Sequence, residues 1–97
     1  MKKLFAASLT MVTTLSSAGM CETLHSISTS IMTARQNSTA MTEVMKLTNG
    51  IEAVEQLVII AYQQPRYSVE ENRQNAISEF ANDVYVACLV EEQESEQ

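Results

Sequence analysis

His25 is the only histidine in this 97-residue chain, and it lies four residues after Cys21. On a helix that step places both side chains on one face, and Cys88 would complete a Cys₂His set, one ligand short of a structural zinc site. The two cysteines have a competing use. In an oxidising compartment they bond to each other, and no Cys-x-x-Cys spacing marks them as a redox pair. The expected chemistry is therefore a Cys21–Cys88 disulfide, and no metal is assigned. Nucleophilic catalysis has as little support. Serines and threonines are abundant, yet neither a Gly-x-Ser-x-Gly elbow nor a Ser-x-x-Lys pair accompanies them. Only two glycines are present, too few for a glycine-rich phosphate loop. Glu79 and Asp83 stand one helical turn apart, the spacing of any solvated acidic face. The residues point away from an enzyme and imply no cofactor.

Recognition is better represented. Arg35 and Arg73 fall on the apolar stripes of their segments, where a charge is costly unless paired. Each either snorkels to water at a helix end or reaches a carboxylate, within the chain or on a partner. Tyr62, Arg66 and Tyr67 surround Pro65 in a turn, with the composition of a binding hot spot. The same tyrosines would equally serve to cover the core beneath that turn. Arg35, Tyr62, Arg66, Tyr67 and Arg73 are the candidate partner-binding residues.

Six basic against 12 acidic residues give a net charge of −6. That balance disfavours nucleic acid, whose binders present basic faces, and an anionic membrane surface. Lys2 and Lys3 precede an apolar run, Leu4 to Leu15, followed by Ser16, Ser17, Ala18 and Gly19. This is the layout of a secretory signal, with a cut expected near residues 18–20. A releasable signal anchor over 1–20 is the second reading. A lipoprotein is the third, because Met20 is not the small residue that lipid attachment at Cys21 requires. All three deliver the domain beyond the inner membrane, to the periplasm or outside, with no stable membrane span after processing. Cys21 and Cys88 are 67 residues apart, and closing a loop of that length contributes roughly 4 kcal/mol.

The elements that must position these residues read as helices. Leu24, Ile27, Ile31 and Ala34 recur at helical steps from Cys21 to about Asn37, where Asn37-Ser38 closes the run. A short segment follows over 42–47 with Thr42 at its N-cap, and Asn49-Gly50 signals a turn. Residues 51–63 (IEAVEQLVIIAYQ) are apolar nearly all round, the pattern of a central helix. Ser68-Val69-Glu70-Glu71 matches a capping box opening a last helix to about Val90, with Val69, Ile77, Phe80, Val84 and Cys88 on one stripe. The expected fold is all-α: a bundle of three to four helices stapled by one disulfide, with no sheet. Residues 21–90 form the domain, and 91–97 an acidic, disordered tail.

Several of these residues also form a recognisable set. Ala34-Arg35-Gln36, the run from Ala61 to Glu71 (AYQQPRYSVEE) and the run from Glu79 to Tyr85 (EFANDVY) with Cys88 resemble a family of short exported proteins of phages and their bacterial hosts. That family shares an N-terminal signal, an early cysteine, and ARQ, AYxxPxYS and EFxND…C stretches. It often has glycine after the arginine–glutamine pair, where this chain has Asn37-Ser38. The resemblance implies an exported helical domain and assigns no activity. Three functions follow as expectations. The first is a small periplasmic binding protein acting on a protein of the cell envelope. The second is an antiholin-like factor in lysis control. The third is an acid-stress periplasmic chaperone, for which the few basic residues are thin support.

Overall fold

The computed structural model describes the backbone of residues 2–95 and the side chains of 19–94. Four helices follow one another: α1 (Lys2–Gln36), α2 (Met41–Lys46), α3 (Glu52–Gln63) and α4 (Glu70–Ser95). Among the described residues there is no strand, so the all-α expectation is met. The side chains of the targeting segment expected over 1–20 lie, but for Gly19 and Met20, outside the described residues.

The hub is α1, which packs against α4 along one side and against α3 and α2 on the other. Its sequence explains why. The stripe Ile27, Ile31 and Ala34 joins a core with Val44, Val58, Ala61 and Phe80. A second stripe, Cys21, Ser28, Met32 and Gln36, is also buried. The threonines between them do not leave orphan hydroxyls, because Thr23, Thr29 and Thr33 each donate to the carbonyl four residues back. Ser28 Oγ is the exception, a buried hydroxyl with no partner among the described residues.

Here the structure corrects the sequence reading: α3 is not central. Val58 and Ala61 are fully buried, but Ile59 and Ile60 stay 36% and 43% exposed. Two caps also differ. The α2 N-cap is Ala40, without a side-chain bond, so Thr42 lies inside the helix. The capping box at Ser68 does not form. The helix starts at Glu70, leaving Val69 as the residue whose carbonyl accepts from the Arg73 amide at 3.0 Å, and Val69 itself is exposed. The end of α4 moves as well. Helix continues through five residues of the tail expected to be disordered, as the helix-forming Glu and Gln extend a helix that is already nucleated.

Two turns follow the sequence signals closely. The end of α1 is a Schellman motif: Ser38 donates to Arg35 O at 3.1 Å and Thr39 to Ala34 O at 2.9 Å. The left-handed residue is Ser38 (φ 68°), one position beyond the asparagine that the sequence suggested. Between α2 and α3, Asn49 and Gly50 both have positive φ, and Ile51 donates to Thr48 O at 3.1 Å. That combination marks a type I′ turn, which asparagine and glycine favour.

The disulfide joins Cys21 to Cys88 with alpha carbons 5.6 Å apart. It fixes α1 antiparallel to α4, and the register holds along the pair. His25 meets Tyr85 edge-on at 5.7 Å, one turn along, and Asn37 meets Arg73 at the far end.

Candidate functional site

The far end of the α1–α4 pair is a latch built from consecutive residues. Arg35 grips the Gln64 carbonyl with Nε at 3.0 Å and a terminal nitrogen at 2.8 Å. Its guanidinium also lies 5.3 Å from the centre of the Tyr62 ring. Gln36, 2% exposed, donates to the Pro65 carbonyl at 3.0 Å and accepts from the Tyr67 amide at 2.9 Å. Asn37 accepts from Arg73, and the Tyr62 hydroxyl donates to Thr39 O at 2.7 Å. Burial pushes the Tyr62 phenol up from its ordinary value, with the nearby Arg35 charge pulling it down. The end of α1 thus pins the whole α3–α4 connection.

The candidate residues therefore divide. Arg35, Tyr62 and Arg73 come together, but on backbone carbonyls, a ring and an asparagine, and neither arginine reaches a carboxylate. Arg66 is exposed, without a hydrogen bond or ion pair among the described residues, and the Tyr67 ring is half out in solvent. Gln36 is the member that the sequence reading left without a role, because a buried glutamine carries no periodic signature. Its one signal was its place in the Ala34-Arg35-Gln36 stretch. The Cys₂His arrangement is not available, since both sulfurs are bonded to each other. Among the described residues no group of three or more His, Cys, Asp or Glu could hold a metal ion.

Beside the latch runs a groove of about 760 Å³. It exists because α3 and α4 both sit on α1 without packing closely on each other. Leu24 and Met32 of α1 form the floor; Leu57 and Ile60 of α3 and Phe80 and Val84 of α4 form the walls. Tyr67 and Pro65 close the latch end, and Cys88 lies toward the other. The rim is acidic. Glu79, Asp83 and Glu91 line it along α4, no cation lines it, and none of the three has a partner among the described residues. The sequence reading took Glu79 and Asp83 as a solvated face, which they are, and missed the groove that they border. A smaller cavity of about 280 Å³ lies between α1, α2 and α3. Among the described residues no helix is long and apolar enough to cross a membrane.

No family model, curated protein or solved structure matches this chain. The resemblance to short exported phage and bacterial proteins rests on the motif pattern alone.

Proposed function

We propose that this chain is an exported binding protein, not an enzyme, that seats a segment of a cell-envelope protein in the groove between α3 and α4. The observation that carries the reading is the groove itself. It leaves Leu57 and Ile60 of α3 facing an open apolar slot in a small domain, where an exposed apolar surface rimmed by polar groups marks an interaction site. The disulfide fits an oxidising compartment, and the Lys2-Lys3 start with its apolar run fits export to the periplasm or beyond. In this reading the latch is scaffolding. Arg35 and Tyr62 hold the α3–α4 connection in place, while Tyr67 stands at the mouth, where a partner meets it.

Photo-crosslinking in the native cell envelope tests this. A photoreactive residue at Ala87, exposed on the groove, should give one discrete protein adduct. The same residue at Asn82, exposed on α4 outside the groove, should give none. Equal labelling from both positions, or none from either, would remove the groove as the binding site.

A further inference from the structure

We infer that the occupant of the groove is a basic amphipathic helix contributed by another protein; the inference rests on the binding reading above and specifies its partner. Three observations converge. The first concerns backbone. The groove walls are helices, whose own amides and carbonyls are already paired, and the nearest loop carbonyls, Gln64 and Pro65, are taken by Arg35 and Gln36. An extended segment entering this apolar slot would leave its backbone polar groups unmatched, whereas a helix brings them already satisfied. Seated on α1 between α3 and α4, such a helix completes the bundle.

The second is charge. Glu79, Asp83 and Glu91 run along one rim, spanning about 18 Å of α4, a little over three helical turns. Facing lysines or arginines would find two carboxylates one turn apart and a third about two turns further on, which steer and orient a cationic segment. The third disfavours the described surface of a second copy of this chain as the source. All four basic side chains described are Arg35, Lys46, Arg66 and Arg73. Arg35 and Arg73 are held in the latch, and Lys46 and Arg66, though on the surface, sit on separate elements, α2 and the α3–α4 connection, so no described helix presents a cationic stripe. A chain of net charge −6 does not supply a cationic stripe.

The test uses the oxidised protein and a synthetic helical peptide of about four turns, with leucines on one stripe and lysines flanking it. Isothermal titration should give saturable one-to-one binding that weakens with salt. Glu79→Lys with Asp83→Lys should weaken it about tenfold or more, and Ile60→Gln should weaken it with the fold retained by circular dichroism. A peptide of the same composition, scrambled to destroy the stripe, should bind at least about tenfold less well. Equal binding of the scrambled peptide, or no loss in the double charge reversal, would overturn the inference. So would a groove adduct from Ala87 that maps to an acidic or extended segment of its partner. That last result would leave the binding-protein reading standing, whereas a silent groove would end both.

Discussion

The two ends of the α1–α4 pair are closed by opposite means. At one end a single covalent bond joins Cys21 to Cys88. At the other, Arg35, Gln36 and Asn37 close the gap with hydrogen bonds to Gln64, Pro65, Tyr67 and Arg73. The bond acts chiefly on the unfolded chain, by restricting it, and does not depend on how the α3–α4 connection is arranged. The latch acts only in the folded state and specifies that arrangement residue by residue. One end therefore supplies stability and the other supplies shape.

Removing the covalent end is the largest test. Cys21→Ala with Cys88→Ala should lower the unfolding free energy by about 4 kcal/mol, read from urea denaturation against the oxidised protein. An unchanged midpoint would mean that the bond restrains nothing that the helices do not already hold. Breaking the polar end should cost less. Gln36→Leu keeps the volume buried but strands the Tyr67 amide and the Pro65 carbonyl, a loss of about 2 kcal/mol. Hydrogen exchange should then rise at residues 64–69 and not around Cys88. The two ends lie about 24 Å apart along α1, so the two losses should add to within roughly 0.5 kcal/mol in the triple variant. Strong coupling between them would erase the division of labour.

The smallest effect is one of pH. The folded state holds the Tyr62 phenol above its ordinary value of 10.0, chiefly by burial. A group whose folded pKa is raised favours folding while protonated. Its contribution is complete below pH 10 and disappears as pH climbs through the folded value. Tyr62→Phe should therefore shallow the alkaline decline in melting temperature. An identical alkaline limb in both proteins would show that burial of the Tyr62 phenol does not contribute to the alkaline decline.

The covalent end was legible in the sequence and the polar end mostly was not. Two cysteines admit one intramolecular pairing, and that pairing sets which helices are neighbours. Helical periodicity likewise gave the elements, and Asn49-Gly50 gave its turn. Hydropathy misplaced α3, because Ile59 and Ile60 look the same in a pattern whether they enter a core or stay exposed, as Ile60 does on the groove. It also credited Ser68 with a cap. The Tyr67 amide is taken by Gln36, and the helix opens from Val69 instead. Arginines on an apolar stripe suggested carboxylate partners. Their actual acceptors, a loop carbonyl and an asparagine, are brought near only by the tertiary fold.

The antiparallel pairing of α1 with α4 also sets a timetable. The surface carrying Cys21, Ser28, Met32 and Gln36 is made early, and the helix that covers it comes last. At translation rates of about 5–20 residues per second, the 52 residues from Gln36 to Cys88 take roughly 3–10 s to appear. For that interval α1 has no mate, and its seam is open to chaperones or to aggregation. Folding must wait for an encounter distant in sequence, which slows it relative to helical bundles built from adjacent hairpins. Pairing of the Cys21 and Cys88 thiols, their two electrons and two protons passing to a disulfide oxidant of the compartment, is then a late event, and the appearance of the bond times the completion of the domain.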